Sequence, residues 1–242
     1  MKLPAIAGEI RRRMLLNYRV DTDVARGIVP ANFRVKEVGG FAIAGVCLIR
    51  LEGLRPRWMP SWLGMSSENS AHRIAVEWDT DDGVKEGVYV PWRNTDSRLA
   101  SLAGGRIFPG VHHMSDFVVQ DAGGVVNMSI VERGKDEPLV EFESVETDEF
   151  PADSVFKNLT ETSEFFQLGN VGYSIKPDTD ELEGLELRTL DWLVKPLDVT
   201  SIKSSYYDDE SIFPKGSITF DHGLLMRDIR HEWHSLPSLR AE

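Results

Sequence analysis

Residues 41–51 read Phe-Ala-Ile-Ala-Gly-Val-Cys-Leu-Ile-Arg-Leu. The run is too apolar for a strand with one wet face, and too short for a membrane-spanning helix, which needs about 20 apolar residues. Its β-branched content predicts a strand buried on both faces, near the centre of a sheet. Gly39-Gly40 marks a turn before it. Toward the N-terminus, Arg12 to Tyr18 reads as a strand. Asp21 or Asp23 can then cap a short helix through Ile28, because a carboxylate accepts orphan backbone N–H groups, and Pro30 stops it.

Toward the C-terminus the pattern is alternation. Ile74, Val76 and Trp78 share one strand face, and Asp81-Asp82-Gly83 forms a hairpin turn into Gly87 to Val90. Val126, Met128 and Ile130 alternate with Asn127 and Ser129, and Val140 and Phe142 with Glu141 and Glu143, as half-buried strands do. One helix is predicted, capped by Asp153 or Ser154, with Val155, Phe156, Leu159 and Phe166 on one face and Gly169 ending it in a left-handed conformation. Gly172 to Lys176, Glu186 to Val194, Asp198 to Ser204 and Ser217 to Phe220 read as further strands. The fold class is mainly β (α+β): a strongly curved antiparallel sheet or closed β-barrel with a few peripheral helices, because closure hides strand edges. No repeat or flexible linker divides residues 1–242, so one domain is expected.

Hydrophobic residues make up 41% and charged residues 27% of the 242 positions, the balance of a globular chain with a substantial core. A formal charge of -12 repels phosphate backbones and anionic lipid, and no basic patch offsets it, so neither nucleic acid nor membrane is expected as a partner. Cys47 is the one cysteine. It reads as a small buried strand residue, and with no intrachain disulfide and no secretion signal the expected location is cytoplasmic.

Familiar chemical motifs are missing. Gly104-Gly105-Arg106 lacks the spacing and the lysine of a phosphate-binding loop. Gly64-Met65-Ser66-Ser67-Glu68 lacks the second glycine of a nucleophile elbow. His112 and His113 are adjacent on a strand and point to opposite faces, and His231 and His234, placed on one helical turn, have only Glu232 beside them, so no metal site is assigned. The six tryptophans read as core and loop packing. No cofactor is implied.

The segment Asn17-Tyr18-Arg19-Val20-Asp21-Thr22-Asp23, continuing through Arg26 to Val29-Pro30, resembles the N-terminal signature of the acetoacetate decarboxylase superfamily. Ser67-Glu68-Asn69, Gly105-Arg106-Ile107-Phe108-Pro109 and the last third from Gly172 follow in the family's order. Ser66 to Trp78 and Phe108-Pro109-Gly110-Val111-His112-His113 look typical of its branch described as domain of unknown function 2071. The resemblance implies a mostly antiparallel barrel or cone around a pocket, and by analogy a homo-oligomer. In the decarboxylases a lysine after an aromatic residue and proline forms a Schiff base, and a second lysine lowers its pKa. Here Gly110 and Val111 stand in those places, so imine chemistry is not expected there.

Two family positions are retained in this reading. Arg11 corresponds to an arginine that grips a substrate carboxylate, a task its planar fork suits. Glu68 corresponds to a glutamate placed for proton transfer, as candidate acid or base. Arg73, Arg98, His112 and His113 are secondary candidates for ligand contact. The leading expectation is a protein that binds a small carboxylate- or carbonyl-bearing metabolite; if an enzyme, it is an acid/base lyase or hydratase. The alternatives are a non-catalytic binding or scaffolding protein whose barrel is filled by side chains, and, last, a decarboxylase with an imine-forming lysine from elsewhere in the chain.

Overall fold

The computed structural model describes residues 5–98, 109–177 and 179–240. The strands are β1 (Ile6–Asp21), β2 (Arg34–Val35), β3 (Glu37–Val38), β4 (Phe41–Pro56), β5 (Met65–Thr80), β6 (Gly83–Thr95), β7 (His112–Ala122), β8 (Val125–Glu132), β9 (Pro138–Glu146), β10 (Val171–Ile175), β11 (Glu181–Thr189), β12 (Lys195–Ser204), β13 (Ile218–Ser235) and β14 (Leu239–Arg240). Among the described residues two α-helices accompany them, α1 (Thr22–Arg26) and α2 (Leu159–Leu168).

Strand pairing closes into rings. The path β1-β4-β5-β6-β7-β8-β9-β12-β13 returns to β1, giving nine strands, antiparallel except for the β6–β7 pair. A second closure runs from β13 through β11 and β10 to β6, and shares the wall β13-β1-β4-β5-β6 with the first. That shared wall explains why residues 41–51 are apolar on both sides. Met14, Leu16, Val46 and Leu48 pack with Val126, Met128, Ile130, Val140 and Phe142 inside the nine-strand ring. Leu15, Ile49 and Leu51 pack with Phe156 and Phe166, near α2, and Leu187 of β11 on the other face. The curved, closed, mainly β architecture expected from the alternation is therefore present.

The Asp81-Asp82 hairpin is present, with Thr80 paired to Gly83, whose φ of 106° favours glycine. Four expectations need correction. Helix α2 starts at Leu159: Asn158 is the N-cap, its side chain accepting from the Glu161 N–H, while Asp153 and Ser154 lie before it in irregular chain. Gly169 has φ −78°, so the helix does not end in a left-handed residue. The longest strand, β13, runs to Ser235, so His231 and His234 lie on a strand rather than a helical turn. Glycine in mid-strand and a charged C-terminal half hid its length. Trp58 and Trp62 are not core but stand exposed between β4 and β5. Among the described residues no helix is long and apolar enough to cross a membrane.

Candidate anion pocket

Arg11, Arg12 and Arg13 are consecutive but go to three places, because β1 carries a bulge. Its register against β4 shifts between Ile10 and Arg12, leaving Arg11 as the extra residue. Arg11 projects outward, with 57% of its side chain exposed, and is ion-paired with Asp228. It does not reach Glu68. Arg12 does: its Nη2 lies 2.9 Å from both Glu68 carboxylate oxygens, and its Nη1 lies 3.1 Å from Asp121. Glu68 is 8% exposed, and its backbone N–H donates to the Asp96 carboxylate at 3.0 Å. Burial raises its carboxyl above the ordinary range, and the charge and hydrogen bonds of Arg12 pull the other way. Glu68 is thus one member of an ion network that continues through Asp121 to Arg227 and Glu146.

Arg13 faces the opposite side of the wall. There it lines a cavity of about 80 Å³ with Cys47, Asn69, Arg93, His112 and Trp233. Arg13 donates to the Cys47 Sγ at 3.5 Å and lies over the Trp192 ring at 5.8 Å. Cys47, read from sequence as a small buried strand residue, is half-buried and lies against a guanidinium. Arg93 donates to the Ser174 hydroxyl at 3.3 and 3.4 Å. Arg73, 5% exposed, donates to Asn17 Oδ1 and sits 4.7 Å over the Phe166 ring. Among the described residues none of these three arginines is ion-paired with a carboxylate. Burial lowers Arg73 and Arg93 to about 10, which still leaves both charged near neutral pH. A buried cation without a counter-ion is costly, and an anion relieves that cost. Burial, then the charge of Arg93, lowers His112 to about 4, so its ring is neutral near pH 7.

Arg73 is held by a buried chain of hydrogen bonds. Because arginine only donates, Asn17 Oδ1 must face it, which turns Asn17 Nδ2 toward His222 Nε2 at 2.9 Å. That nitrogen must accept, so His222 is neutral and its Nδ1–H donates to Asp221 at 2.6 Å. Burial lowers the His222 pKa against the pull of Asp221.

A second, open cleft of about 540 Å³ lies beyond Arg93, lined by Tyr89, Gly110, Val111, Ser174, Lys176 and Asp180 among others. Gly110 and Val111, which the sequence resemblance sets against the decarboxylase lysines, line this cleft. A side chain at Gly110, whose φ is 86°, would bring its Cβ to 2.9 Å from Ser174 Cβ. Lys176 is the lysine of the cleft, but Glu181 at 3.2 Å and Glu183 at 3.8 Å hold its ammonium and raise its pKa. It sits in the cleft, away from the Arg12–Glu68 pair.

The remaining sequence candidates scatter. His113 faces away from the pocket, stacked on Trp92 at 3.9 Å and paired with Glu132 at 3.5 Å. Arg98 is exposed. Gly105, Arg106, Ile107 and Phe108 lie outside the described residues. The structure brings Arg73 and His112 to the same side of the wall, with Arg13, Arg93 and Asn69, which the sequence reading did not single out. One signal was available: Ala71 and Ala75, on either side of Arg73 on its strand face, leave room for a guanidinium between them.

A family model for DUF2071, described as an uncharacterized conserved protein, matches residues 8–178. The chain belongs to the DUF2071 family. No curated protein matches it. The fold of this DUF2071 protein is that of acetoacetate decarboxylase. The Legionella pneumophila acetoacetate decarboxylase superposes with a TM-score of 0.65 at 12% identity, over 98% of this chain and 89% of that one. An acetoacetate decarboxylase-like enzyme from Sphingomonas wittichii RW1 gives 0.64 at 13% identity, over 99% and 93%. The enduracididine biosynthesis enzyme MppR, complexed with pyruvate, gives 0.61 at 11% identity, over 99% and 91%.

Proposed function

We propose that this DUF2071 protein binds a small carboxylate, of the size and type of a 2-oxo acid such as pyruvate, in the cavity between Arg13 and Arg93. The observation that carries the proposal is the set of buried or half-buried arginines with no carboxylate partner among the described residues, in a chain whose total charge is -12. A volume of about 80 Å³ suits a few heavy atoms. Arg13 and Arg93 grip the carboxylate, Asn69 supplies an amide, and neutral His112 is the group able to take or give a proton at a carbonyl-bearing carbon. The relative MppR is complexed with pyruvate, which fits this ligand class. Chemistry here proceeds without an imine. Gly110 and Val111 offer no amine, and Lys176 is held protonated by two carboxylates. The Glu68 carboxylate is committed to Arg12 and acts as a structural anion, so proton transfer falls to His112.

Calorimetric titration with pyruvate tests this. Arg13→Gln and Arg93→Gln should each weaken binding more than about tenfold, since a charge-assisted hydrogen bond is worth roughly 1.5–3 kcal/mol. Equal binding of pyruvate and neutral acetone, or pyruvate binding indifferent to both substitutions, would overturn it. Borohydride treatment with pyruvate should add no mass to the protein.

The packed interior of the nine-strand ring favours a second reading for that ring alone. Phe142, Tyr207, Phe213 and Met14 fill it, so it serves as scaffold for the wall rather than as a container.

A further inference from the structure

We infer that the ligand does not end in the inner pocket but extends past Arg93 into the outer cleft, and that the protein takes an elongated carboxylate with a hydrogen-bond-donating, preferably cationic, tail. This rests on the carboxylate reading given above and adds the far half of the molecule. Arg93 is the one described residue that lines both the inner cavity of about 80 Å³ and the outer cleft of about 540 Å³. The partition between them is thin. Gly110 and Val111 border the cleft while His112, the next residue, borders the inner pocket.

The hold on Arg93 is weak. Its partner is the Ser174 hydroxyl, at 3.3 and 3.4 Å, and that hydroxyl spends its own proton on the Val90 carbonyl at 2.9 Å. Two long hydrogen bonds to a neutral hydroxyl leave a guanidinium that a carboxylate can draw to either side, because a carboxylate adds an opposite charge that the hydroxyl lacks. The cleft also has a polarity. Arg93 supplies positive charge at its inner wall. Lys176 is neutralised by Glu181 and Glu183, whereas Asp180 has no ion pair among the described residues. A guest with its carboxylate at Arg93 therefore meets a carboxylate at the rim, beside the hydroxyl of Thr179. Two negative ends are disfavoured there, and an amine or other donor is matched.

The test is calorimetry on the full chain with three acids of equal length: 5-aminopentanoate, pentanoate and glutarate. The expected order of affinity is that order, with about fivefold between first and last, the scale of an exposed ion pair. Asp180→Asn should bring the first and last within about twofold, the Asp180 pair then being gone. Pyruvate should compete with 5-aminopentanoate, because both need Arg93. Glutarate binding as well as the amine, a preference that survives Asp180→Asn, or simultaneous binding of pyruvate and 5-aminopentanoate would each overturn the inference. Arg13-dependent pyruvate binding with no order among the longer acids keeps the inner-pocket reading and sinks only the extension. An Asp180-dependent order without any pyruvate binding does the reverse.

Discussion

Replacing Arg12 by Met takes from Glu68, at 8% exposure, the guanidinium that holds both its oxygens and leaves it Arg50 at 4.0 Å, while Asp121 keeps Arg227. A buried charge left without its partner costs about 3 kcal/mol or more, so urea unfolding of Arg12→Met should show a loss of that order. Arg11→Gln should stay within roughly 0.5 kcal/mol, since the Arg11–Asp228 pair is exposed on both sides. Equal costs for the two variants would show that the bulge at Arg11 is misplaced. The pair also illustrates a limit of reading by position. Arg11, Arg12 and Arg13 are one residue apart, and strand alternation assigns faces only when the register is unbroken. The bulge adds one residue, so it resets which arginine faces the ion network and which faces the pocket.

At the scale of the element, α2 supplies the Phe166 ring over which the Arg73 guanidinium sits. Its start is secured by a reciprocal pair: Asn158 Oδ1 accepts from the Glu161 N–H at 3.0 Å, and Glu161 accepts from the Lys157 N–H at 2.9 Å. Asn158→Ala should lower stability by about 1 kcal/mol in urea denaturation, the typical worth of an N-cap. Asp153→Ala should have little effect, because Arg19 uses the Asp153 backbone carbonyl and not its carboxylate. If Asp153→Ala costs more than Asn158→Ala, the helix begins where the sequence pattern placed it. The apolar stripe was legible: Phe156 and Phe166 share one cluster, with Val155 and Leu159 packed against it. The cap was not, since Asp153, Ser154 and Asn158 are all good caps and only tertiary contacts choose. Ser154 instead donates to Asp221 at 2.6 Å, which anchors the chain before the helix.

Across the whole molecule, burial lowers four histidines: His72 to about 3, His112 and His231 each to about 4, and His222. Burial is the largest cause for each. A depressed folded-state pKa means that the unfolded chain takes up protons near pH 6.5 that the native state refuses. Stability is therefore full above about pH 6.5 and falls as pH drops toward 4. A denaturation midpoint that is flat between pH 7 and 4.5 would contradict the burial of these rings. His72 is the most telling, being 0% exposed between Tyr206 and Tyr207 with neither ring nitrogen partnered among the described residues. His72→Leu should blunt the acid sensitivity by the share that His72 contributes. The same scale separates total charge from local charge. A chain at -12 still gathers Arg13, Arg73 and Arg93 on one face of its shared wall, because three distant segments meet there.

What the sequence determined by itself is the material of the wall and its curvature. The doubly apolar run 41–51 specifies a strand with two dry faces and the alternation in residues 74–78, 126–130 and 140–143 strands with one, and a sheet of such strands hides its edges by closing. Local patterning suffices for this because side-chain burial repeats every second residue along a strand. Only the tertiary structure decided which charges face which cavity. That outcome depends on a single inserted residue in β1, on β13 pairing along its length with β12, β1 and β11, and on cross-strand neighbours such as Arg93 and His112, which no periodicity within one segment encodes.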